Sequence, residues 1–85
     1  MSEKTLGERR IRTDFNVSGN DLVAIIKKQS AELIDLLQAQ RVALRTGDNH
    51  SIEEQLKADD KNRLISMAQT SIEEAAMWAV KAATA

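Results

Sequence analysis

Polar and apolar positions follow a helical period over two long stretches of this chain, and residues 1–17 lack any sustained period. From about Asn20 to Arg45, Leu22, Ile26, Leu33, Leu37 and Leu44 fall on one stripe at helical spacing. Ile25 and Leu36 widen that stripe on one side, Val23 and Ile34 on the other, so the apolar arc approaches half the circumference. Ser18 is placed to cap this helix, with Asp21 near its positive end. Gly47, just after Arg45-Thr46, suits a left-handed stop. Gly47-Asp48-Asn49-His50 reads as a turn, and Ser51-Ile52-Glu53-Glu54 reads as a capping box that opens a second helix.

The second helix is expected to run to about Ala83. Asp59-Asp60 marks a weak spot where a new start could be capped, but one unbroken helix is the favoured reading. Its main stripe is Leu64, Ala68, Ile72, Ala75, Ala79 and Ala82, flanked by Ile65, Met67, Ala76 and Trp78. Arg63, Thr70, Glu74, Met77 and Lys81 lie on a different face. Before the first long helix, LGERRIR predicts a short helical turn. Residues 1–17 therefore form an N-terminal segment and residues 18–85 a helical hairpin domain.

The fold class that follows is all-α: two helices of roughly 25–30 residues, each about 40 Å long, joined by a short turn and therefore antiparallel. A hairpin buries one narrow stripe per helix. Both stripes here are wide, so the excess apolar surface predicts a symmetric homo-oligomer. The end of the chain, EEAAMWAVKAAT, strengthens that expectation. It sets Trp78 among Ala75, Ala76, Ala79, Ala82 and Ala83, thin residues that let helices approach closely around one large indole.

Composition narrows the function. The 85 residues allow one domain, with 42% hydrophobic and only 2% aromatic side chains, so any core is aliphatic and rich in alanine. There is no cysteine, which excludes disulfides and thiolate metal sites. No stretch is apolar enough to span a bilayer, and MSEKTLGERR does not resemble a signal peptide, so no membrane partner and a cytoplasmic location are expected. The net charge of −1 argues against DNA as a partner. Residues 1–45 nevertheless carry eight basic and six acidic side chains, against four and seven in residues 46–85. Arg9, Arg10 and Arg12 concentrate the excess in a small patch suited to a small anion.

Catalytic chemistry is poorly represented. His50, the single histidine, falls in the turn, where a polar loop residue is the ordinary role. One histidine and scattered carboxylates make no metal cluster, and neither a cofactor nor an enzyme activity is expected. Glu53-Glu54, Asp59-Asp60 and Glu73-Glu74 are adjacent pairs, which do not face each other on a helix. Binding chemistry is better represented. Phe15 lies just before a helix, beside Asn16 and Ser18 and near Arg12. It serves either as a staple fixing the helix lead-in or as a stacking platform for a base, with cations on the attached phosphates. Lys27 and Lys28 are solvated helix charges or part of a mixed groove in which Lys27, Ile34 and Arg41 recur at sevens. Arg63 reads on its own as a charge flanking a stripe, and Thr84 as an ordinary terminal residue.

Two segments taken together resemble a known family. RIRTDFNVSGNDLVAIIKKQSAELIDLL is similar to the opening of the small helical hairpin family of phage anti-CBASS proteins, whose hairpin is shared with some anti-Thoeris proteins. EEAAMWAVKAAT resembles the closing helix of that family. The resemblance spans roughly residues 9–84 and is loosest over 46–62. Val17 stands where proline is commoner in an FNPSG-like text, which bears on the rigidity of the lead-in turn more than on chemistry.

The resemblance implies a sponge: an oligomer, a hexamer in the best-known form, that binds cyclic oligonucleotide signals of bacterial immunity without cleaving them, in the host cytoplasm during infection. The implied partners are cGAMP-like cyclic dinucleotides and cyclic trinucleotides. For the dinucleotide, the resemblance assigns Phe15 to base stacking, with Asn16 and Ser18 as polar contacts. Lys27 or Lys28 would meet phosphate, Lys27 being preferred beside the apolar stripe, with Arg12 as a neighbouring cation. For the trinucleotide it assigns Arg63 and Thr84. A structural hairpin adaptor with no small ligand is the alternative that periodicity alone would favour.

Overall fold

The computed structural model describes residues 3–13, 20–42 and 51–85. Within them the chain forms three helices: α1 over Leu6–Ile11, α2 over Asp21–Ala39 and α3 over Ile52–Ala83. The turn predicted from LGERRIR is α1. Its cap is Thr5, which forms a complete capping box with Glu8: Thr5 Oγ1 accepts from the Glu8 N–H and Glu8 Oε1 accepts from the Thr5 N–H.

The hairpin of α2 and α3 matches the expected architecture, with three local corrections. The α2 cap is Asn20, whose Oδ1 accepts from the Leu22 N–H at 2.8 Å; Ser18, expected in that role, lies outside the described residues. The Asn20 amide also donates to the Ala83 carbonyl at 3.2 Å, tying the start of α2 to the end of α3. Second, α2 ends at Ala39 instead of continuing to Arg45. The cause lies on the partner helix: Asn62 accepts from the Val42 N–H and donates to the Val42 carbonyl, both at 2.9 Å. A side-chain amide thus replaces the helical partners of Val42. The expected stop at Gly47 lies outside the described residues. By contrast α3 is continuous through Asp59-Asp60, and Ser51 Oγ accepts from the Glu54 N–H at 3.1 Å, as its capping pattern predicts.

The third correction concerns which face is buried. Leu22, Leu33 and Leu64, expected at the centre of their stripes, are exposed, with Leu22 at 60% and Leu64 at 53%. The buried positions are Val23, Ala31 and Ile34 on α2, and Ile65, Gln69 and Ala76 on α3; Val23, Ile34, Ile65 and Ala76 are flank positions of the expected stripes, and Ala31 and Gln69 belong to neither stripe. The contact seam in fact includes polar residues. On α2 it runs Val23, Lys27, Ser30, Ile34, Leu37 and continues to Arg41 just past the helix end, and on α3 it runs Ala58, Asn62, Ile65, Gln69, Ile72, Ala76, Ala79, Ala83, all buried or half-buried. Both runs advance by alternating steps of four and three, the spacing of a left-handed helix pair.

Ile11, Ala31, Ile34 and Ala76 form the core, with Leu6 and Ile72 packed against it. Full burial of a side chain such as Ile34 contributes about 1.5–3 kcal/mol. The core is thin because the molecule is flat. Its extents are 53 × 30 × 12 Å, so it is a single helix thick in its shortest direction. Its radius of gyration, 16.3 Å, exceeds the roughly 12 Å of a compact domain of this length. One layer has two faces in water, and Leu22, Ile25, Leu36, Met67 and Trp78 all stand at least half exposed. No helix among the described residues is long and apolar enough to cross a membrane.

Candidate functional site

The site begins with how α1 is seated. A Cβ on Gly7 would lie 2.0 Å from the Ala31 carbonyl oxygen and 2.7 Å from its carbon. Only glycine lets the α1 backbone come this close to α2. The Gly7 N–H donates to Asp35 Oδ1 at 2.7 Å, which fixes the start of α1. Ile11 then inserts into the core at the other end of this short helix.

This seating carries the arginines of the N-terminal patch to the long helices. Arg10 donates from Nε to Glu73 Oε2 on α3 at 2.5 Å. Arg12 ends α1 in the left-handed conformation, with φ 58° and ψ 58°, and its N–H donates to the Glu8 carbonyl at 2.9 Å. Glycine is the usual residue at such a stop. A non-glycine there carries a cost of order 1 kcal/mol, and here it turns a guanidinium toward the hairpin.

An open groove of about 650 Å³ lies where α1, α2 and α3 meet. Arg10, Arg12, Lys27 and Lys81 supply four cations, and Glu73 and Glu74 two carboxylates. Ile11, Ala76, Met77 and Val80 provide apolar wall, and Thr70 a hydroxyl. Lys81 also stands over the indole of Trp78, 5.3 Å from the ring centre. The net positive lining with apolar patches can hold an anion that also carries a flat or apolar part.

The residues singled out from the sequence are distributed unevenly around this groove. Arg12, at the end of α1, and Lys27, on α2, line it together. Lys28 is exposed and is not part of the lining. Phe15, Asn16 and Ser18 lie outside the described residues, as does His50. Arg63 is well away on α3, where it pairs with Asp60 Oδ1 at 2.7 Å and contacts Met67 Sδ at 3.4 Å. Thr84 caps the same helix, its hydroxyl donating to the Val80 carbonyl at 2.9 Å. At a rise of 1.5 Å per residue, the continuous helix keeps Arg63 and Thr84 roughly 30 Å apart.

Arg10 belongs to the basic patch read from the sequence, but Thr70, Glu73, Glu74, Met77 and Lys81 are not assigned to a site by the sequence. A signal for four of them is present, since Thr70, Glu74, Met77 and Lys81 share one face, apart from the main stripe. What the sequence lacked was the seat of Gly7, which brings the α1 arginines over that face.

The fold is that of a small helical hairpin with an open, net-positive groove. The family comparison agrees: the Acb2/Tad1 hairpin domain matches residues 7–84, nearly the whole chain. The chain belongs to that family, the anti-CBASS and anti-Thoeris sponges, which are known for sequestering cyclic oligonucleotides, a binding activity and not a catalytic one. Neither the curated proteins nor the solved structures provide a match to the chain.

Proposed function

We propose that this chain sequesters cyclic oligonucleotide second messengers without cleaving them, and so blocks CBASS antiphage signalling in the infected cell. Cyclic dinucleotides of the cGAMP type occupy a site built from Phe15, Asn16, Ser18, Arg12, Lys27 and Lys28. Phe15 stacks on a base and the cations meet phosphate. The observation that carries this reading is the shared groove of Arg12, at the end of α1, and Lys27, on α2, two cations brought together beside apolar wall.

The magnitudes are adequate. A base stack contributes ~1–3 kcal/mol and a charge-assisted phosphate contact roughly 1.5–3 kcal/mol. Two of each, less the costs of association, approach the about 12 kcal/mol of nanomolar binding. Doubling is natural if two copies face one ligand whose own shape is close to two-fold. A flat chain with apolar side chains exposed on its surface supports such self-association, and a homohexamer is the assembly we favour.

Cyclic trinucleotides are assigned to a second site with Arg63 and Thr84. Because those residues are roughly 30 Å apart on one rigid helix, a ligand touching both draws them from different copies.

The test is retention followed by release. The purified chain is incubated with a cyclic purine dinucleotide, unbound ligand is removed, and the protein is denatured. Intact ligand in the released fraction is the expected result. Linear product would mean an enzyme, and no retained ligand would favour the adaptor. Phe15→Ala should weaken retention while native mass spectrometry shows the assembly unchanged; an unaltered affinity would remove the stacking role.

A further inference from the structure

The Arg10–Glu73 pair crosses the groove. It joins residues separated by 63 positions in sequence, one on α1 and the other on α3. Both side chains line the groove, and both are partly open to water, at 27% and 44% exposure. An arriving anion can therefore reach this guanidinium without any helix moving. Glu73 engages the Nε edge of Arg10, and a guanidinium carries further N–H donors on its terminal nitrogens, in a fork that suits phosphate as well as carboxylate. A carboxylate in a groove with a net positive lining opposes an anionic ligand unless it serves to hold a cation in place.

We propose that Arg10 is a further phosphate-binding residue of this groove and that Glu73 is its built-in competitor. In the unliganded chain the carboxylate holds the guanidinium at the groove. On binding, a ligand phosphate takes the guanidinium from Glu73, so the ion pair is exchanged. Affinity is consequently set below what four cations would give, and Glu73 fixes how far below. This deepens the sequestration reading and rests on it.

The experiment measures the Kd of a cyclic purine dinucleotide by titration calorimetry for the full chain, Glu73→Gln, Arg10→Ala and the double variant. Thermal melts show that each is folded, and Arg10→Lys is a milder second substitution. Glu73→Gln should tighten binding by roughly two- to fivefold, the scale of a partly exposed ion pair, and Arg10→Ala should weaken it by about tenfold. In the Arg10→Ala background most of the gain from Glu73→Gln should vanish, because there is no guanidinium left to release. Weaker binding by Glu73→Gln, or an undiminished gain without Arg10, would overturn the exchange.

If the full chain holds no cyclic dinucleotide, the sequestration reading fails. The exchange is then judged with inorganic pyrophosphate as the probe. The Arg10 Nε–H resonance should shift on titration; a resonance that does not move overturns the proposal on its own terms.

Discussion

Two parts of the hairpin use arginine in opposite ways. Just past the end of α2, Arg41 is enclosed by its own chain: it donates to Gln38 Oε1 at 2.9 Å, to Gln69 Oε1 at 2.9 Å and to the Ser66 hydroxyl. Gln69, 1% exposed, in turn donates to the Ile34 carbonyl at 3.1 Å and to Gln38 at 3.2 Å. Every group there answers another, as buried polar groups must. Farther along the hairpin, Arg10, Arg12, Lys27 and Lys81 gather around open space. The same residue type closes a register lock in one place and lines a receptacle in the other. What separates them is that the Arg41 guanidinium is packed among amides and a hydroxyl of the seam, while the groove cations border open space. Charge alone does not reveal function; the surroundings of the charge do.

The contrast can be broken from either side. The largest effect is expected for Gln69→Ala, which leaves a void in the seam and deprives Arg41 and Ile34 of partners, at a cost of about 3 kcal/mol. Urea denaturation would read it, and a change below 1 kcal/mol would mean the polar layer is not a lock. Arg41→Ala should follow, at about 2 kcal/mol, with affinity for a cyclic dinucleotide per folded chain unchanged in calorimetry. A loss of affinity would erase the distinction between the two regions.

Lys27→Ala is the mirror test. Its stability should fall by no more than about 1–2 kcal/mol, the lost packing of a half-buried stem in the seam, while the dinucleotide Kd rises about tenfold. The smallest change in stability belongs to Arg63→Ala. Its pair with Asp60 is an exposed i,i+3 bridge worth about 0.3–0.5 kcal/mol. Under the two-site reading its whole effect falls on trinucleotide retention, and an equal loss of dinucleotide would merge the sites.

Much of this was legible in the sequence. The all-helical hairpin, the short helix at LGERRIR, the Ser51 cap and the unbroken path through Asp59-Asp60 all follow from local pattern, where propensity and capping decide. The buried face did not, and the reason is specific. Lys27 and Ser30 on α2, Arg41 just past its end, and Asn62 and Gln69 on α3 occupy seam positions. A search for apolar period alone skips them and centres the stripe on Leu22 and Leu33, which point outward. Tertiary contact also overruled local signals at Val42, where Asn62 takes the backbone.

The candidate site was legible only in pieces. Arg12 and Lys27 could be named as cations, but nothing local places them together. That juxtaposition depends on Gly7 fitting against Ala31 and on Asp35 holding the Gly7 N–H, contacts between segments far apart in sequence. The pairing of Arg10 with Glu73 escapes the sequence for the same reason: an ion pair spanning 63 positions leaves no trace in spacing.

The unbroken run of α3 from Ile52 to Ala83 has a consequence for how cargo would be lost. It acts as a stiff ruler with its arginine and its closing hydroxyl at fixed marks, so a guest that needs both marks senses whether neighbours are present. Dilution would then work as a release valve for that guest through mass action. Its escape would track the falling concentration of protein, while a guest held within one set of walls would leave at a rate indifferent to crowding.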